Sequence, residues 1–346
     1  MTDILSLTLD ELRDEITGLG IESYRAKQIY NRLHVKQAVC FSEMSNISGQ
    51  TRQLLANCFY IKPLIIRKKL VSGYDNTVKY LYILPDNQSI EAVLMRHNHG
   101  NSLCISTQVG CKMNCAFCAS GASGFVRNLE PSEMLLQLYE TERDSGITVN
   151  SLVLMGIGEP LDNFDNVVKF FGLLSDKHGR NMSLRHVSLS TCGLADKIDE
   201  LAELRLGLTL SVSLHAADDE TRSNLMPVNL VFNIERLMAS CRNYYSKTGR
   251  RISFEYALIK DINDNSQAAD RLAGLVRPLS AHVNLIPVNQ THAHYVKSGN
   301  AKHFHERLLS LGVNATIRRT LGADISAACG QLRGAQCSAD DTETQT

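Results

Sequence analysis

The stretch "GCKMNCAFCASG", Gly110 to Gly121, places Cys111, Cys115 and Cys118 within eight residues. Three thiols are one fewer than the four ligands of a closed metal site. The chain holds ten cysteines in 346 residues. Its first residues, "MTDILSLTLDELRDE", are acidic and amphipathic, unlike the basic-then-apolar plan of a signal peptide. No run approaches the roughly 18 apolar residues of a membrane span. The expectation is a cytoplasmic protein with no membrane segment. In a reducing compartment crowded thiols point to metal binding or catalysis rather than to a disulfide framework.

Outward from this stretch the pattern is regular. Strand-like segments "SLCIST", "SLVLMG", "RHVSLS", "LTLSVSLH", "ISFEYALI" and "AHVNLIPV" each precede a helical pattern, at 131–144, 163–177, 194–204, 233–246, 265–277 and 300–311, and "VNATIRR" is a last strand. Six βα units in series predict a parallel sheet with crossover helices. Six is fewer than the eight of a closed barrel, so the expected fold is α/β, a partial (β/α)6 barrel. A doubly wound sheet is the alternative. In front lie helices: Thr8 and Glu11 form a capping box, and "SYRAKQIYNRL" and "SGQTRQLLANCF" have helical spacing. "TVKYLYIL" and "SIEAVLMR" then read as strands. The expected division is a helical accessory domain over 1–75, the barrel with a strand extension and a C-terminal cysteine loop over 76–330, and a polar tail over 331–346.

Polar residues fall at the C-terminal strand ends, where parallel α/β folds assemble their sites. Gly158 and Glu159 follow "SLVLM", Ser190 ends "RHVSLS", Ser213 and His215 end "LTLSVSLH", and Asn289 follows "AHVNLIPV". Lys+Arg and Asp+Glu balance at 36 each, so net charge gives no hint of nucleic acid. The basic run Arg67-Lys68-Lys69 reads as a solvated face or a contact to an RNA backbone, and Arg318-Arg319 as a second backbone contact.

The three thiols admit several readings. Structural zinc wants four N or S ligands, and His97 or His99 could supply the fourth, though nothing in their spacing demands it. A redox pair Cys115–Cys118 leaves Cys111 without a role. A four-iron cluster held by three cysteines leaves one iron open to bind a small molecule.

Cys111-x3-Cys115-x2-Cys118, with Phe117 before the last cysteine, resembles the motif of the radical S-adenosylmethionine (SAM) enzymes, and "MGIGEPL" (155–161) resembles their glycine–glutamate motif. The resemblance implies a 4Fe-4S cluster on Cys111, Cys115 and Cys118, whose open iron chelates SAM and cleaves it to a 5′-deoxyadenosyl radical. Gly158 and Glu159 would hold the SAM amino group.

Cys104 in "SLCISTQVGC" and Cys329 in "DISAACGQLRG" extend the match to the RlmN/Cfr family of radical SAM adenine methyltransferases acting on 23S ribosomal RNA. "NLMPVN", "VNLIPVN" and "TIRRTLGADISAACGQL" agree with it, so the likeness spans nearly the whole chain. The family pattern implies a covalent relay. Cys329 takes a methyl group from one SAM, a radical from a second SAM removes hydrogen from it, and the methylene adds to the adenine. Glu91 takes the ring proton, and Cys104 attacks the Cys329 sulfur to release methylated RNA and a disulfide. The resemblance also places Ser190, Ser213, Leu214, His215 and Asn289 around SAM. Cys40, Cys58, Cys192, Cys241 and Cys337 read as inert packing or surface residues. Pro160 and Pro287 resemble the branch that methylates carbon 2 rather than carbon 8. Some members of that branch also act on transfer RNA. Flavodoxin or ferredoxin is the implied electron donor, and a monomer is expected. A radical SAM enzyme on a non-RNA substrate is the further alternative, one that would not need Cys104 and Cys329.

Overall fold

The structure is a computed structural model, and it describes residues 1–98, 100–122, 124–279, 281–288 and 295–332. One sheet dominates it. Its strands are β1 (Ile65–Val71), β2 (Val78–Ile83), β3 (Ser89–His97), β4 (Gly100–Cys104), β5 (Ser151–Leu154), β6 (Val187–Thr191), β7 (Thr209–Ser213), β8 (Ser253–Leu258), β9 (His282–Pro287) and β10 (Asn314–Ile317), neighbours in space in the same order as in sequence. β1 to β4 pair antiparallel, and β4 to β10 are parallel. A doubly wound sheet reverses its strand order at a switch point. This order never reverses, so right-handed crossovers carry every helix to the same face. The six βα units therefore form the partial barrel.

Strand alternation explains which face is which. Leu189, Leu210, Val212, Phe254, Tyr256, Val283 and Leu285 are buried, and they alternate with polar positions. The polar positions line up across the parallel register: Ser190 with Ser211, Ser211 with Ser253, and Ser253 with His282 form one row. Ser213, Glu255, Asn284 and Thr316 form the next row toward the strand ends. The lumen face is thus lined by small polar groups while the apolar face carries the helices.

The N-terminal helices α1 (Leu9–Gly18), α2 (Arg25–His34) and α3 (Gly49–Cys58) match the expected positions. The capping box forms: Glu11 N donates to Thr8 Oγ1 at 3.3 Å, and Thr8 N donates to Glu11 Oε2 at 2.8 Å. Their apolar residues, from Leu12 and Ile16 to Ile29 and Leu33, join the barrel's own core. Buried His34 reaches the hydroxyl of Tyr139 on α4 (Pro131–Ser145) at 3.1 Å.

Two features escaped the sequence reading. β1 was not expected; it is the sheet's edge, and its run Arg67-Lys68-Lys69 makes it the kind of charged edge that resists further pairing. A short hairpin of Gln108–Gly110 against Phe125–Asn128 also closes the base of the cysteine loop.

Candidate active site

The cysteine loop leaves the barrel rim after β4 and is shaped by that hairpin. Gly110 has φ +71°, and a Cβ there would lie 1.7 Å from the carbonyl oxygen of Gly124, so no other residue fits. Cys111 N donates to that same oxygen at 3.1 Å, and Ala116 N anchors the loop to Leu225 O at 2.9 Å. Cys111, Cys115 and Cys118 all line one cavity, which encloses about 970 Å³ of empty space, part of it continuous with solvent.

The donor set suits an iron–sulfur cluster. Burial pushes the Cys111 thiol up to about 12 and raises Cys115 as well, and the neighbouring thiols add to both. Such thiols stay protonated until a metal takes their place as charge partner. Among the described residues no three His, Cys, Asp or Glu side chains close around one ion. A four-iron cluster asks for no such convergence, because each thiolate binds its own iron. His97 lines neither this cavity nor the adjoining one, and His99 lies outside the described residues.

The strand-end residues meet at the same cavity. Gly158, Glu159, Ser190, Ser213 and His215 all line it. Gly158 has φ +105°, and a Cβ there would strike Gln108 at 2.6 Å. Glu159 is buried, its Oε1 accepting from Leu161 N at 3.0 Å and its Oε2 from Cys192 N at 2.7 Å. Burial raises its carboxyl above the usual range. The side chain therefore pins the strand ends of β5 and β6 together, with the Thr191 and Cys192 side chains hydrogen-bonded to it as well. His215 sits at φ +56°, and its Nδ1 accepts from Ala257 N at 2.9 Å, which leaves the proton on Nε2. Burial, helped by Arg222, pulls its pKa down to about 3, so the ring is neutral. Phe117 from the cysteine loop packs edge-on against it, ring centroids 4.9 Å apart. Leu214 is buried in the core and does not line the cavity. Asn289 lies outside the described residues.

Several site residues were missed. Arg222, on α5 (Asp219–Leu225), is fully buried, and its guanidinium donates to the carbonyls of Cys192 (2.6 Å), Ser213 (3.3 Å) and Leu214 (3.1 Å). It ties β6 and β7 together behind the cavity. Cys192, expected to be inert packing, lines the cavity as a buried, protonated thiol whose backbone serves both Glu159 and Arg222. Glu255 lines it too, and its position in phase with Ser253 was the available signal.

A second cavity adjoins the first and is lined by Cys104, Val93, Met95 and the C-terminal segment. Met155, Ile286, Arg318 and Cys329 belong to both linings, so Cys329 stands on the dividing wall. Burial pushes the Cys104 thiol up to about 12, with the nearby Cys329 sulfur adding to the effect and Arg318 opposing it. The segment carrying Cys329 is fastened on both sides. Gly322 N donates to Asp75 Oδ2 (2.9 Å) and Gly73 N to Asp324 Oδ2 (2.9 Å); Ala119 N donates to Gly330 O (2.8 Å) and Ser120 Oγ to Leu332 O (2.6 Å). The nine described cysteines, Cys104 and Cys329 among them, form no disulfide with one another, and Cys337 lies outside the described residues. Glu91 is buried in an ion pair with Lys79 at 3.0 Å and lines neither cavity, although it shares a sheet face with Val93, the partner of Cys104. Arg318 corrects a further expectation. It was paired with Arg319 as an RNA contact, yet it turns inward to the wall between the cavities, because it is in phase with Asn314 and Thr316 on the lumen face.

A partial barrel with a three-cysteine loop and a glycine–glutamate rim at one mouth is the architecture of a radical SAM enzyme. Residues 105–273 match a model of the radical SAM superfamily, and residues 2–61 match the ribosomal RNA large subunit methyltransferase N-terminal domain. A probable dual-specificity RNA methyltransferase RlmN of Clostridium novyi is 44% identical over 336 residues, covering 96% of this chain and 98% of that protein. One from Lachnospira eligens is 46% identical over 339 residues, covering 96% of each. The crystal structure of a radical SAM methyltransferase from Sphaerobacter thermophilus superposes with a TM-score of 0.92 at 38% identity, over 96% of this chain and 99% of that one. The chain belongs to the RlmN family of radical SAM RNA methyltransferases, enzymes that use a 4Fe-4S cluster and SAM. No helix among the described residues is long and apolar enough to cross a membrane.

Proposed function

We propose that this enzyme methylates carbon 2 of an adenine in 23S ribosomal RNA, and of an adenine in transfer RNA, by a relay through Cys329 and Cys104. Cys111, Cys115 and Cys118 would hold the cluster. Gly158, Glu159, Ser190, Ser213, Leu214, His215 and Asn289 would surround SAM, with Leu214 acting through its backbone. Bound there, cluster and SAM supply a methyl group and a hydrogen-abstracting radical. The chain's own residues do the rest. Cys329 accepts and carries the methyl carbon, Glu91 takes the ring proton, and Cys104 displaces the product by attacking the Cys329 sulfur.

The observation that carries this reading is the place of Cys329 on the wall between two cavities, one lined by the three cysteines and the other by Cys104. A relay thiol must face a methyl donor and a releasing thiol in turn. An enzyme acting on a small metabolite would need neither cysteine.

The helical accessory domain, with the exposed basic edge of β1, is proposed to take the RNA backbone. That domain is proposed to span 1–75, with β1 pairing to the first strand that follows it. A monomer in the cytoplasm, reduced by flavodoxin or ferredoxin, completes the proposal.

The test is anaerobic incubation of reconstituted enzyme with SAM, a reductant and unmodified 23S rRNA or tRNA, followed by nucleoside mass spectrometry. 2-Methyladenosine is expected from both RNAs. 8-Methyladenosine would assign the chain to the other branch, and no methylated nucleoside would overturn the RNA reading.

Glu159→Ala is expected to weaken SAM binding while iron is retained. It should also lower stability by about 1–3 kcal/mol, because two buried backbone N–H groups lose their acceptor. Unchanged SAM affinity by calorimetry would remove Glu159 from the SAM site.

A further inference from the structure

Arg318 is a cation without a close carboxylate. Glu255 Oε2 is its one carboxylate partner among the described residues, and it stands 4.0 Å away. That oxygen already accepts from Asn284 Nδ2 at 2.8 Å. Arg318 Nη1 lies 3.8 Å from the Met155 sulfur, and its backbone N–H is fixed to Leu285 O at 2.8 Å. Arg318 thus follows Thr316 by two residues, one step past the lumen row Glu255–Asn284–Thr316, and lies on the wall shared by both cavities. Cys329 shares that wall, and its sulfur is the largest influence holding the Arg318 guanidinium above its ordinary value, with a hydrogen bond between the two adding to it. An arginine aimed at a sulfur rather than at a carboxylate suits a thiolate that must react.

We propose that Arg318, steadied by Glu255, is the positioning residue that holds the Cys329 thiolate toward the SAM cavity for methyl transfer. The inference rests on the relay reading. In the step, the thiol proton first passes to solvent through the open cavity. The thiolate electron pair then forms the new S–CH3 bond, the sulfonium C–S bond breaks, and its electrons remain on the sulfur of S-adenosylhomocysteine. No oxidant or reductant is needed. The neutral thioether that results is a poorer acceptor, so the same contact is given up once the methyl is loaded.

Two readouts test it on the full chain. The first is alkylation of Cys329 by iodoacetamide in the metal-free protein, followed by peptide mass spectrometry. The second is Cys329 S-methylation in the reconstituted enzyme given SAM. Arg318→Met is expected to slow both by about tenfold or more, the loss of one hydrogen bond to a charged group. Arg318→Lys, which keeps the charge, is expected to recover most of the alkylation rate. Melting temperature certifies that each variant is folded, and Arg318→Gln replaces Arg318→Met if the latter is not. Wild-type rates in the neutral variant would overturn the proposal, as would a lysine variant as slow as the methionine one. Wild-type enzyme that never methylates Cys329 would instead overturn the relay itself, and the alkylation comparison would still report on Arg318.

Discussion

Cys104→Ala is expected to accumulate protein joined covalently to RNA through Cys329, whereas Cys329→Ala forms no such species. The two thiols line one cavity, and the proposed relay gives them opposite duties. Without Cys329 nothing carries the methyl carbon, so neither S-methylation nor attachment occurs. Without Cys104 loading and addition proceed, and nothing displaces the product. Were both cysteines packing residues, each alanine would cost about 1–3 kcal/mol of stability and depress turnover alike. Denaturing gels after reaction with labelled RNA separate the outcomes. Absence of the adduct in Cys104→Ala, with Cys329 methylation verified, would refute the release step.

Alanine at Cys111, Cys115 or Cys118 is expected to abolish turnover and to remove iron after anaerobic reconstitution, where the parent protein takes about four irons per chain. These side chains line the cavity from a loop whose backbone is fixed independently of the thiols, by the Gly110–Gly124 crossing and the Ala116–Leu225 bond. Each variant should therefore remain folded, and its melting curve should change little compared with its iron content. Stoichiometric zinc in place of iron would contradict the assignment of the site. Iron retained by all three variants would do so as well.

Much of this architecture could be read from residue spacing. The parallel strands alternate apolar and polar residues with period two, and all but the last are followed by a helix, so chain order implied a parallel α/β sheet, and the count of six units favoured the partial barrel over a doubly wound one. The edge strand Ile65–Val71 was illegible because its exposed positions and three successive basic residues mimic a solvated loop. The hairpin at the cysteine loop depends on how closely Gly110 meets Gly124, a contact between backbones that composition does not announce. Arg222 carries no periodic signal either, since its partners are backbone carbonyls at two strand ends and the Asn229 amide, which spacing does not announce. Arg318 was different. Period two places it with Thr316 and opposite Arg319, so the signal was present, and grouping the two arginines as one basic pair concealed it. Glu255 had the same signal relative to Ser253.

The relay's central claim is that the methyl carbon passes through a protein sulfur and loses one hydrogen on the way. SAM carrying a fully deuterated methyl group tests this directly, with product adenosine analysed by mass spectrometry. Removal of one deuterium from the Cys329-bound group before it joins the ring leaves two deuterons in the product methyl. A product methyl that retains all three deuterons would mean direct transfer from SAM to the adenine, and would contradict the relay.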